Sequence, residues 1–169
     1  LRSLALVGDN WSQQSLTSPE QHLSQLTHLE MPVPADEAFF AQLTRLESLA
    51  LTGGGLPLRR GTLQGLANLR KLLVESAAVG AITLDCLEPL RSLRSLSIGL
   101  HWQRFLSTSE DLVASDCAAL AKLKLEQLHI AALGLPAASC GIFAPNAAAK
   151  QEQLSAHLPT ATVRAELQT

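Results

Sequence analysis

The string Leu-x-x-Leu-x-Leu, with aliphatic variants, recurs along the chain and restricts its fold more than any other feature. Its copies are Leu1-Leu4-Leu6, Leu26-Leu29-Met31, Leu46-Leu49-Leu51, Leu69-Leu72-Val74, Leu93-Leu96-Ile98 and Leu125-Leu128-Ile130, with a degenerate seventh at Leu158-Ala161-Val163. They start 25, 20, 23, 24, 32 and 33 residues apart, so the last two intervals hold insertions. A further leucine stands three positions before several copies, at Leu23, Leu43, Leu66 and Leu90. The period-two Leu-x-Leu reads as a short strand with one buried face. The spacing of three before it suits a helical or 3₁₀ turn packed behind that strand. A unit of this size cannot bury its apolar face alone, so the copies must stack.

This pattern resembles the leucine-rich repeat family, over nearly the full chain from Leu1 to about Val163. The resemblance implies an α/β fold, a leucine-rich-repeat solenoid or horseshoe of about six to seven coils. A parallel inner β-sheet would be backed by outer helices or 3₁₀ turns. The whole of 1–169 is expected to be a single leucine-rich-repeat domain. Its coils fall near 1–25, 26–45, 46–68, 69–92, 93–124 and 125–157, with a C-terminal cap over 146–169. Helix starts are expected at Ser18-Pro19-Glu20-Gln21, with weaker ones at Asp36-Glu37 and Thr83 to Asp85. A longer outer helix is expected to carry Leu112, Val113, Cys117 and Leu120 on one face, and a polar one should follow Pro145-Asn146 over Ala147 to His157. The chain opens on a regular repeat with no Met or signal peptide, so it reads as a fragment with further repeats or another domain before Leu1.

The chain departs from the family where many members carry an Asn three positions after the third aliphatic. Asp9, Pro34, Gly54, Ala77, His101 and Leu133 stand there, so no asparagine ladder can satisfy the loops. The outer segments Leu63-Gln-Gly-Leu66-Ala-Asn-Leu69 and Leu87-Glu-Pro-Leu90-Arg-Ser-Leu93 look like the irregular repeats of plant and algal leucine-rich proteins and of some F-box receptors.

Composition narrows the function. Hydrophobic residues make up 47% and charged residues 17% of 169, and roughly one residue in five is Leu. That is too apolar for disorder, while no apolar run is long enough for membrane insertion. A net charge of -2 offers no footprint for nucleic acid or an anionic membrane. Three cysteines, Cys86, Cys117 and Cys140, fit neither a disulfide framework nor paired metal ligands, which favours an intracellular, cytoplasmic setting over a secreted one. The sequon Asn10-Trp11-Ser12 is a three-residue pattern that chance readily supplies.

Little in the chain suggests chemistry. His22, His28, His101, His129 and His157 show no metal-ligand spacing, and Gly53-Gly54-Gly55 lacks the residues of a phosphate loop. No nucleophile motif is present, and Cys86 and Cys117 read as core fillers. Neither an enzyme nor a cofactor or metal is expected. By resemblance, a partner would meet the outward residues of the concave sheet, where His28, Glu30, Lys71, Leu73, Glu75 and His129 have size or polarity enough to discriminate. The insertion at 99–108 adds Trp102 and Arg104, residue types enriched at binding hot spots. Either Trp102 and Phe105 fold back to cover the enlarged coil, or Trp102 and Arg104 lie at a partner interface.

The function expected is a non-enzymatic scaffold for another protein, within a larger complex. The alternatives are the substrate-recognition region of an F-box ubiquitin-ligase receptor and a regulatory domain attached to an enzyme. The leucines themselves are structural, each contributing roughly 1.5 to 3 kcal/mol when buried. Leu49→Ala or Leu72→Ala should therefore cost about 2 to 5 kcal/mol in urea unfolding; a loss below about 1 kcal/mol would place that leucine outside the core.

Overall fold

The computed structural model, which describes residues 2–5, 23–32, 37–52, 61–75, 84–101, 120–133 and 140–167, shows why leucines recur at intervals of three. Leu43 N–H donates to Phe40 O at 3.1 Å and Leu46 N–H to Leu43 O at 3.0 Å. The same pair of bonds runs through Leu63, Leu66 and Leu69, and again through Leu87, Leu90 and Leu93. Bonds that close every third residue eclipse the side chains on one face. All nine of these positions are buried. Formal 3₁₀ helices occupy Glu37–Gln42 and Leu84–Leu87, close to the starts expected at Asp36-Glu37 and Thr83 to Asp85.

Each descent delivers the chain into a strand. The strands are β1 (Ser3–Ala5), β2 (His28–Pro32), β3 (Ser48–Thr52), β4 (Lys71–Glu75), β5 (Ser95–His101), β6 (Gln127–Leu133) and β7 (Thr162–Leu167). They form one seven-stranded sheet in sequence order, with every neighbouring pair parallel. The register aligns the repeat with itself: Leu4, Leu29, Leu49, Leu72, Leu96, Leu128 and Val163 form one column across the sheet. Met31, Leu51, Val74 and Ile98 form a second. From β2 to β7 the first column is buried, while Leu4 is partly exposed. The fold is thus the expected leucine-rich-repeat-like solenoid, but the seventh copy sits two residues away from the expected alignment, because Val163 and not Ala161 pairs with Leu128 and Ala165 takes the place opposite Ile130.

A second ladder ties the coils together at the strands' N-terminal rim. The carbonyl of Arg2 accepts from both Thr27 N–H and His28 N–H, and that of Thr27 from Glu47 and Ser48. Glu47 O, Arg70 O and Arg94 O repeat the arrangement onto the next coil, and Thr162 N–H closes on Glu126 O. Among the described residues, side chains reinforce several steps. Thr27 Oγ1 donates to Arg2 O at 3.0 Å, Asn68 Nδ2 to Thr44 O at 2.8 Å, and Arg94 Nη1 to Lys124 O at 3.1 Å. These bonds satisfy backbone groups of neighbouring coils at this rim.

Two expectations are corrected. The C-terminal helix α1 spans Cys140–His157, with Pro145 inside it instead of at its start. Pro145 forfeits the bond to the carbonyl four residues back, but it is exposed and the remaining turns continue the helix. Its Ala147 and Leu154 are buried, as is Leu158 just beyond its end. The chain also stays in β5 through His101, because β6 runs on to Leu133 and pairs with it. Positions 99–101 are therefore strand, while 102–108 lie outside the described residues. The helix starts at Ser18 to Gln21 and the face carrying Leu112, Val113 and Cys117 also lie outside them.

Among the described glycines, Gly65 makes a tight contact in the outer layer that carries no hydrophobic signal. A Cβ built on Gly65 would lie 2.7 Å from Ala41 Cα and 2.8 Å from Phe40 O, both backbone atoms of the preceding coil. Neither can yield without displacing that coil. Gly65→Ala should cost about 1 to 3 kcal/mol in urea unfolding, and an unchanged midpoint would mean that the coils are spaced more widely.

Candidate functional site

With one side of every strand committed to the core, period-two alternation forces the other side chains onto a common open face. The middle row across that face is Glu30, Ala50, Leu73, Ser97, His129 and Arg164. Glu30 and Arg164 are exposed, and the four between them half-buried. Nearer the N-terminal rim run His28, Ser48, Lys71, Ser95, Gln127 and Thr162. At the far end, Glu75 is exposed but Gly99 and Ala131 are buried, so the row expected to point outward closes over at β5 and β6.

The six described residues expected to meet a partner all lie on this face. His28 is exposed beside Thr27, whose hydroxyl lies 2.9 Å from Nδ1. That hydroxyl spends its one proton on Arg2 O, so His28 Nδ1–H is the donor. Glu30 shares a row with Leu73 and His129, but stands two and four strands from them. Lys71 and Glu75 sit at opposite ends of β4, about 13 Å apart at the strand rise, and do not pair. Leu73 stands between Ala50 and Ser97, both small, on the central strand. His129 is half-buried, with Nδ1 3.2 Å from Ser97 Oγ. Trp102 and Arg104 lie outside the described residues.

A cleft of about 510 Å³ opens at the rim of β4, β5 and β6. Three cations line it: Arg70 just before β4, Lys71 at its first residue and Arg94 just before β5. Glu126 and Gln127 face them from the third coil, and Ser92 and Ser95 complete the wall. Arg94 is positioned by its bond to Lys124 O and by a loose 3.8 Å approach of Nε to Glu126 Oε1. With side chains 45% and 71% exposed, that pair is worth no more than about 1 kcal/mol and leaves both groups open to a ligand.

Of the cleft residues, only Lys71 stood out in the sequence. Arg70, Arg94 and Glu126 precede strands, one position before the outward residues, and lie 24 and 32 positions apart. Aligning the residue before each strand brings out the series Arg2, Thr27, Glu47, Arg70, Arg94, Glu126 and Ala161, in which two arginines, Arg70 and Arg94, fall side by side. Among the described residues, no group of His, Cys, Asp or Glu has a metal-holding arrangement, and no helix is long and apolar enough to cross a membrane.

No family model matches the sequence, and no curated protein matches it. Among solved structures, an internalin from Listeria monocytogenes is similar at 18% identity and a TM-score of 0.42, over 97% of this chain and 47% of that one. The chain spans about half the length of that protein. The likeness carries no argument of its own; the leucine-rich-repeat-like fold rests on the in-register parallel sheet and its leucine columns.

Proposed function

We propose that this chain is a non-enzymatic scaffold that binds another protein across the open face of its sheet, as part of a larger complex. One observation carries the reading: six coils present outward residues in register, with polar and small side chains over a core already complete behind them. Apart from the far row, which closes over at Gly99 and Ala131, such a face stays exposed or half-buried and offers a surface to a partner. Leu73 is its apolar centre, flanked by the smaller Ala50 and Ser97, where a partner's side chains can exclude water most fully. His28, Glu30, Lys71, Glu75 and His129 form polar surroundings. Trp102 and Arg104, just beyond β5, extend the surface in this proposal.

The Ser97 and His129 pair does not argue for catalysis. The residue registered beside His129 is Arg164, a cation, whereas a histidine base is held in its working tautomer by a carboxylate. Net charge argues against a nucleic-acid partner. The odd cysteine count, with Cys86 buried in the core, supports an intracellular, cytoplasmic setting.

A photo-crosslinking amino acid at position 73 should capture a protein partner in extracts of the source organism, and one at exposed Gln64 on the outer layer should not. Leu73→Arg should weaken binding of that partner at least about tenfold, roughly 1.4 kcal/mol. Capture from position 64 alone would move the interface to the outer layer and overturn the proposal.

A further inference from the structure

We propose that the rim cleft between β4 and β6 is the specificity site of this surface and takes an extended, acidic peptide segment of the partner. The inference rests on the scaffold reading and adds the partner's chemistry. Arg70, Lys71 and Arg94 place three cations around the cleft against the single carboxylate of Glu126. The chain as a whole is negative, so this local excess runs against the average. A ligand with carboxylates is drawn to it, and the guanidinium groups offer forked donors that match carboxylate geometry.

The remaining groups distinguish a peptide from a polyanion. Glu126 and the amide oxygen of Gln127 are acceptors, and the latter lies at 3.4 Å from Ser95 Oγ, a long and weak contact. A phosphate chain would meet Glu126 with repulsion and supply no donor to it. A peptide brings carboxylates for the cations and backbone N–H groups for Glu126 and Gln127. Geometry also suits an extended chain. Adjacent coils of the rim are about 4.8 Å apart, and alternate residues of an extended peptide about 6.7 Å. Two acidic residues within three positions can therefore address Arg70 or Lys71 on one coil and Arg94 on the next.

The test is selection of a phage-displayed library of random 12-residue peptides on the full chain, followed by titration of the selected sequences as synthetic fluorescent peptides. Peptides enriched in Asp or Glu, with two acidic positions inside three residues, are expected. Their affinity should fall at least tenfold in Arg70→Glu/Arg94→Glu, fall with added NaCl and rise severalfold in Glu126→Gln. Arg94→Gln gives a milder variant, and circular dichroism melts establish that each variant is folded. Peptides without acidic enrichment, or acidic ones that bind the charge-reversed chain equally well, would overturn the proposal, as would an unproductive selection. Inorganic pyrophosphate binding more tightly than every selected peptide would overturn it too, in favour of a phosphate ligand. Selected neutral peptides that lose binding in Leu73→Arg would leave the scaffold reading standing while this inference falls.

Discussion

Every coil of this protein depends on burying its leucines against the coils beside it. A single coil has two columns of strand side chains and one row of turn side chains, and none of these is enclosed by that coil alone. Parallel register solves this by placing Leu49 on Leu72 and Leu72 on Leu96, so each leucine is covered by its own counterparts. The backbone then follows from a matching of periods. Strand residues alternate, which puts every second side chain in the column. The preceding turn closes bonds at every third residue, which stacks its leucines behind the column. Partial exposure of Leu4 on β1, at the edge of the described sheet, shows the same dependence from the other direction.

The burial pattern also determines what the protein has left to offer. Hydrophobic side chains are spent inside, and the backbone of interior strands is spent on neighbours. At the far edge, even an outward-facing group of β7 is satisfied, since Ala165 N–H donates to Gln151 Oε1 of α1 at 3.1 Å. The open side-chain face and the N-terminal rim remain. Both are assembled from single residues of many coils, so the surface is distributed in sequence and continuous in space. A distributed surface of this kind recognises an extended or broad partner, consistent with the scaffold function and the acidic segment proposed for the cleft.

Most of the fold was legible in the sequence because the signal repeats. Any one Leu-x-x-Leu-x-Leu would be weak, but Leu43-Leu46-Leu49-Leu51 and Leu66-Leu69-Leu72-Val74 state the same turn and strand twice, and the register follows from aligning them. The features that escaped have no period. Asn68 bonds Thr44, and Gly65 clears the backbone of Ala41, through contacts that depend on the spacing of two neighbouring coils. Pro145 looked like a helix start because its residue type favours that position, but helix α1 began five residues earlier. The cleft was hidden for a related reason. Reading outward residues strand by strand leaves out the position just before each strand, and Arg70, Arg94 and Glu126 occupy that position in three consecutive coils.

The most direct measurement is the distance between the ends of the open row. Glu30 on β2 and Arg164 on β7 are both exposed and are separated by five strand-to-strand steps in register. Nitroxide labels at positions 30 and 164, with the native cysteines replaced by Ala, should give a single narrow electron-resonance distance distribution near about 24 Å. A broad distribution, or one centred beyond about 35 Å, would contradict an in-register stack and with it the continuous face on which the proposed function depends.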